Sequence, residues 1–285
     1  RHDGGAATTD GHVGFFSSGA PPAENVADRS PTGGARRMMK DGVFRDHRPH
    51  VIFAQHVWPE LPAGQVGVRR GPMTGASDRF KVTIEGQGGH ASKPHQTIDA
   101  IVVANQVINS LQTVVSRDVD PLRSAVLTIG KIRAGTRYNA IAQKATLEGT
   151  IRTFGSHTKE RVKDRFHSIV DGVTASMEAS ARIRYWDGYP ATVNTPEWAE
   201  RVRKTAQDLL GPDATPEIEP SLGGEDFGRF LLDYPGAYFR LGTAFSNAPE
   251  KKRLHDSHFD IDEAALQLGT ELLAQLAVDT LYQLE

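Results

Sequence analysis

With 285 residues, of which 38% are hydrophobic and 24% charged, the chain has apolar material for one large core or two ordinary ones and is not disordered throughout. A formal net charge of −2 argues against general nucleic-acid binding, and no apolar run is long enough for a membrane span or signal segment, so the expected setting is cytoplasmic. Cysteine is absent, which removes disulfides, Cys-based zinc sites and thiol nucleophiles, and leaves eleven histidines with carboxylates and amides as the available metal ligands.

Residues Arg1 to Lys40 are rich in Gly, Ala, Ser, Pro and Asp, with a short apolar patch at Val13, Phe15 and Phe16. They read either as a tail or as the start of a chain missing its beginning. Val51, Ile52, Phe53 and Ala54 then form a continuous apolar run ending in "QHVWP", the pattern of a buried strand. Pro72 to Asp78, "PMTGASD", has the composition of a linker.

The segment from Arg79 to Tyr189 has its own grammar. Phe80, Val82 and Ile84 alternate as a strand, and Ile98, Ile101, Val102, Val107, Ile108, Leu111 and Val115 recur at helical spacing. Strands are predicted over Ala125 to Ile132 and Ala145 to Thr153. A helix follows from about Lys159 to Ala179, then a strand through Ile183 and Tyr185. The order β-α-β-β-α-β is that of a split βαβ, or ferredoxin-like, unit. Beyond it, "NTPEW" sets Thr195 as N-cap and Pro196 at the first helical position. A short helix after "GGEDF", a strand around Tyr238 to Leu241 and an amphipathic helix from Glu263 to Leu284 complete the chain.

Several polar residues stand where a purely structural sequence does not need them. His56 directly follows the apolar strand, a place where open α/β folds put ligands, although a lone His there is more often structural. His255 lies among Asp256, His258 and Asp260, a density that suits a metal or acid/base site and equally suits a solvated loop. Glu24 of "PPAEN" is a carboxylate that would act as general base beside a metal, and otherwise a solvated charge. His90 sits in the glycine-rich "GQGGHASKPH", which lacks the spacing of a dinucleotide or phosphate loop. Asn139 of "GTRYNA" lies in the loop between two strands, where turn chemistry alone explains an Asn.

In this order, "GGARRMMKDGVF", "QHVWPELPAGQVGVRRGPM", "GQGGHASKPHQTIDAI", "LQTVVSRDVDP", "GYPATVN", "GGEDF", "PGAYFRLG" and "LHDSHFDIDE" resemble the amidohydrolase branch of the aminoacylase/carboxypeptidase metallopeptidase family. Members include hippurate hydrolases, N-acyl-amino-acid amidohydrolases and auxin-conjugate hydrolases. The resemblance implies an α/β catalytic domain with two zinc or manganese ions, interrupted by a ferredoxin-like lid that also makes a homodimer. The catalytic domain would be residues 1–78 with 190–285, N-terminally truncated, and the lid residues 79–189. The implied activity is cleavage of the amide bond of N-acyl amino acids or small peptide-like conjugates by metal-activated water. The resemblance makes His2, His56 and His255 metal ligands, Glu24 the general base, His90 a catalytic lid residue that holds the oxyanion, and Asn139 and Glu225 substrate-binding residues. Two positions depart from the pattern. Relatives have "PAEE" where this chain has Asn25, and a "CGHDGH" segment of which only His2 and Asp3 match. The alternative reading is an impaired or inactive relative that works through its dimerising lid alone.

Overall fold

The computed structural model describes residues 13–15, 33–245 and 253–284, the first three through their backbone. In chain order the elements are β1 (Val13–Phe15), α1 (Gly33–Lys40), β2 (Val51–Pro62), β3 (Val66–Gly67), β4 (Gly71–Thr74), β5 (Ala76–Glu85), β6 (Gly89–His90) and α2 (Ala100–Thr113). There follow β7 (Ala125–Ala134), β8 (Ala140–Ile141), β9 (Lys144–Thr153), α3 (Ser156–Ser176), β10 (Ser180–Tyr189), β11 (Thr192–Asn194), α4 (Pro196–Leu210), β12 (Gly236–Ala244) and α5 (Ala264–Leu284).

One sheet has the order β1-β2-β12-β3, with β1 and β12 parallel to β2 and β3 antiparallel to β12. A strand covered on both faces reads as an unbroken apolar run, and that is the reason for Val51 to Ala54. Val51 and Phe53 pack with Phe239, Trp198, Val202, Leu272 and Leu276 against α4 and α5. The alternate residues Ile52 and Ala54 pack with Ala35, Met73, Phe227, Phe230 and Tyr238 on the opposite face. Gly236 allows β12 to begin against β2, because a Cβ there would collide with the Ile52 carbonyl.

The second sheet is antiparallel in the order β10-β5-β9-β7. Helices α2 and α3 bury Val103, Val107, Leu111, Val162, Phe166 and Val170 against Phe80, Val82, Leu147 and Ile151. Phe80 and Phe166 are the center of that core, with ring centroids 4.6 Å apart. At about 25 cal/mol per Å² of apolar area, buried phenylalanines of this kind are among the largest single contributions to such a core.

The structure corrects the expected linker. Residues Pro72 to Asp78 are strand: β4 pairs with β11, and β5 is already under way at Ala76. Gly75 there serves close approach, since an added Cβ would lie 2.9 Å from the Leu222 side chain. Thr195 does occupy the N-cap of α4, yet its hydroxyl makes no cap bond and accepts from Gly236 N at 3.1 Å. Helix α1, inside the stretch read as irregular, is an eight-residue helix with Ala35 buried. Among the described residues no helix is long and apolar enough to cross a membrane.

Candidate active site

The side chains of β2 alternate between the two faces of its sheet, so His56 continues the row of Ile52 and Ala54 on the face that carries Tyr238. His56 Nδ1 lies 2.8 Å from the Val57 carbonyl oxygen. A carbonyl only accepts, so Nδ1 carries a proton, and in the neutral ring Nε2 keeps a lone pair. The His56 ring centroid is 6.3 Å from that of Tyr238 and 6.5 Å from that of Trp58.

Beside it, Glu225 is 9% exposed and accepts from Phe227 N at 3.1 Å, capping a 3-10 turn over Asp226–Leu232. Burial pushes the Glu225 carboxyl upward; the Phe227 bond offsets part of this, Asp226 adds to it, and His56 pulls it back. Burial and the adjacent Glu225 also push the Tyr238 hydroxyl well above its usual value, so it stays protonated and donates to Glu225. Asp226 Oδ2 accepts from Ala35 N at 2.8 Å, a carboxylate placed at the amino end of α1. A Cβ at Gly33, where φ is +56°, would meet Asp226 and Tyr189, so this glycine permits the docking.

His90 and Asn139 meet in a second cluster. The pairing of β6 with β8 sets His90 opposite Ala140, and Ala91 N donates to the Asn139 carbonyl oxygen at 3.2 Å. Ser92 N lies 3.2 Å and Ser92 Oγ 2.7 Å from His90 Nδ1. A backbone N–H only donates, so Nδ1 is the acceptor and neutral His90 carries its proton on Nε2. The side chain is exposed, and a cavity of about 650 Å³ lined by Gly89, Arg133, Ala140 and Gln143 adjoins it.

The described structure thus brings His56 together with Glu225, and His90 together with Asn139. His255 is exposed, with a positive φ of 66° that a non-glycine residue rarely adopts. Among the described residues no three His, Asp or Glu groups form a cluster that could hold a metal, so the described donors do not by themselves fit a dinuclear center. His2, Glu24 and Asn25 lie outside the described residues. Tyr238, Trp58 and Arg240 were not singled out from the sequence. Their signal was the polar residues inside "HVWP" and "AYFRLG", whose alternation puts them on the face of His56.

Mixed α/β architecture with a His–Glu–Tyr cluster along a parallel strand pair defines the class of fold and site. The chain belongs to the peptidase family M20/M25/M40, whose description matches residues 20–279. It is 36% identical over 249 residues to the N-acetyldiaminopimelate deacetylase of Brevibacillus brevis, covering 87% of this chain and 64% of the relative. It is also 36% identical to thermostable carboxypeptidase 1 of Saccharolobus solfataricus over 251 residues, covering 86% of this chain and 62% of the relative. The crystal structure of the YXEP protein of Bacillus subtilis, described as a dinuclear metal binding peptidase of the M20 family, superposes with a TM-score of 0.72 at 31% identity. That match covers 87% of this chain and 61% of YXEP. The chain therefore spans less than two thirds of the length of these relatives.

Proposed function

We propose that this chain is a metal-dependent amidohydrolase cleaving the amide bond of N-acyl amino acids or small peptide-like conjugates. The carrying observation is His56, with its Nδ1 proton tied to the Val57 carbonyl and its Nε2 lone pair left for a ligand, beside the buried Glu225–Tyr238 pair. Similarity to a deacetylase and a carboxypeptidase supports the reading. Zinc or manganese is the ion the resemblance implies, with His2, His56 and His255 as proposed ligands. The described residues alone do not make that site. In our reading His90 donates from Nε2 to the carbonyl oxygen of the scissile amide as negative charge develops there, Asn139 orients the substrate, and Glu225, its charge held by Phe227 N, borders the cleft. Glu24 is the proposed base toward the attacking water.

We further propose that residues 79–189 form an inserted ferredoxin-like lid and that 1–78 with 190–285 form the catalytic domain. The strand order β10-β5-β9-β7 with two helices on one face supports this. The lid would join two copies in a homodimer. Strand β7 is an unpaired edge in the described structure; it exposes Val126 and Ile132, and α2 exposes Ile101 and Val102. Acetate release from N-acetyl amino acids, measured on protein equilibrated with zinc or manganese, tests the reading. We expect turnover and metal uptake together. Asn25, where relatives carry Glu, favors the second reading of an inactive relative, and no turnover with either metal across a panel of acyl amino acids would establish it.

A further inference from the structure

Arg240 pairs with His56 in the parallel register of β12 and β2, and its side chain shares the face of Tyr238. It is 4% exposed. The guanidinium carbon lies 3.9 Å from the center of the Trp58 ring, so the cation lies over the indole face. Nη1 donates to the Glu219 carbonyl oxygen at 2.9 Å. The other two nitrogens, Nε and Nη2, are buried and have no hydrogen-bond partner among the described residues. Among the described residues Arg240 forms no ion pair. Burial lowers its pKa, Tyr238 and Glu60 favor its charge, Arg69 opposes it, and the net direction is downward. A guanidinium remains charged even so, and a buried charge without a partner is costly.

The pattern of the vacant donors is informative. Nε and Nη2 lie on one edge of the guanidinium plane, with parallel N–H bonds spaced to match the two oxygens of a carboxylate. Glu219 occupies the other side and Trp58 one face, so this edge is what the fold leaves uncommitted. We propose that the Nε/Nη2 edge of Arg240 is a subsite for the carboxylate of the substrate, selecting N-acyl amino acids with a free acid over their amides or esters. The inference rests on the amidohydrolase reading for the identity of the substrate, and adds a specificity-determining residue to it. Both nitrogens are closed to solvent in this conformation, so the carboxylate enters as part of the wall shifts. Trp58, half-buried over the guanidinium, is the natural part to move and therefore reports on entry.

The test is a calorimetric and tryptophan-fluorescence titration of the full chain with N-acetyl-leucine and with N-acetyl-leucinamide, neither measurement needing turnover. We expect the acid to bind at least tenfold more tightly than the amide and to change Trp58 emission, an effect lost in Trp58→Phe. Arg240→Gln should abolish the tenfold preference while amide affinity stays within twofold and Tm holds or rises, because a solitary buried charge has gone. Arg240→Lys, which keeps the charge without the fork, should lose most of the preference and serves if the Gln variant fails to fold. Equal binding of acid and amide, no saturable binding of the acid, or a preference that survives Arg240→Gln overturns the proposal. Acid preference without turnover in any metal would leave the subsite standing and remove the hydrolase reading. Turnover without acid preference would do the reverse.

Discussion

His56 and His90 turn the same ring nitrogen to opposite use toward their backbone partners, Nδ1 of His56 as donor and Nδ1 of His90 as acceptor. The Val57 carbonyl fixes the proton of His56 on Nδ1, and Ser92 N fixes that of His90 on Nε2. When neutral, His56 therefore offers a lone pair and His90 a donor, the two roles that the proposed amide hydrolysis assigns them. His90 is exposed in a glycine-rich loop, so truncating it leaves no core cavity. His90→Ala should lower kcat by about a hundred- to a thousand-fold, the usual cost of losing an oxyanion donor, while Tm scarcely changes. His90→Gln, with an amide N–H, should recover part of the loss. An unchanged rate, or a large drop in Tm, would show that the residue is structural.

A buried carboxylate ties β5 to α3 and β10. Asp78, 2% exposed, accepts from Lys159 Nζ at 3.0 Å, Tyr185 Oη at 2.9 Å and Gly188 N at 2.9 Å. Removing one partner of such a group strands the others without water. Asp78→Ala should therefore cost about 3–5 kcal/mol, measured by urea denaturation, and Asp78→Asn somewhat less because an amide oxygen still accepts. A loss below about 1 kcal/mol, the range of an exposed pair, would mean that solvent reaches the network.

Acid and alkaline sensitivity follow from ion pairs on the same sheet. Burial raises the Glu148 carboxyl, but the bond from Arg79 and the charges of Lys131 and Lys81 outweigh it and leave it below its usual value. Asp187 behaves likewise: burial raises it, and Lys163 and Lys159 bring it below. A carboxyl depressed in the folded state adds stability in full above its unfolded pKa, about 4, and that contribution fades as pH falls through the folded value. For Lys159 burial lowers the pKa, but Asp78 and Asp187 together raise it by more, so the net shift is upward. Its contribution is complete below the unfolded value of about 10.4 and is lost as pH rises through the folded one. Tm should thus hold from about pH 5 to 9 and fall on both sides. Glu148→Gln should lower the plateau and flatten the acid limb. Acid limbs of equal slope in the two proteins would exclude Glu148 as a contributor.

The parts of the fold legible in the sequence were those whose stabilization is local or periodic. Pro196 after Thr195 marked the start of α4, and the alternation of Phe80, Val82 and Ile84 marked β5. What escaped depended on distant partners. Helix α1 has eight residues, too few to be stable alone, and Asp226, 191 positions away, caps it. The stretch Pro72 to Asp78 resembles a linker in composition, but Gly75 is small because Leu222 comes close, and Pro72 and Thr74 are held by pairing with β11. His56, His90 and Asn139 could be picked out by residue type and neighboring glycines or strands. The Tyr238–Glu225 bond and the vacant edge of Arg240 could not, because alternation along a buried strand says which face a side chain takes and nothing about what stands opposite.

The exposed edge predicts an oligomer. Ile132 on β7 and Ile101 and Val102 on α2 are each about half exposed, and a Cβ on Gly135 would lie 3.5 Å from Ile101 Cδ1, so the end of β7 and α2 share one apolar surface. The bulge between Ile129 and Lys131 and the charges of Lys131 and Arg133 discourage strand addition along β7, so the association is expected through this apolar surface rather than through edge pairing. Sedimentation at micromolar concentration should give about twice the chain mass, the commonest closed symmetry. Ile132→Lys combined with Val102→Glu should give a monomer with an unchanged far-UV spectrum. A wild-type monomer, or a dimer that survives both substitutions, would place the interface elsewhere or nowhere.

Metal affinity in this chain turns on charge. Of the proposed ligands, His56 offers one neutral imidazole, and the carboxylate beside it, Glu225, is already engaged by Phe227 N and Tyr238. The resemblance puts a Glu where this chain has Asn25, and an amide oxygen presents a dipole where a carboxylate presents a full charge. Two adjacent dications held mainly by His2, His56 and His255 would repel each other with little compensation. The wild-type chain should therefore bind zinc or manganese weakly. Asn25→Glu should tighten one site tenfold or more, on the order of 1.4 kcal/mol, while Glu24 stays available as base. His56→Ala in the Asn25→Glu background should cancel the gain if the two residues share an ion. Calorimetric titration of the three proteins with each metal makes the comparison. Tight binding of two ions by the wild-type chain would show that Asn25 is not a ligand position. An Asn25→Glu gain untouched by His56→Ala would move His56 out of the metal site and leave it a polar neighbor of Glu225.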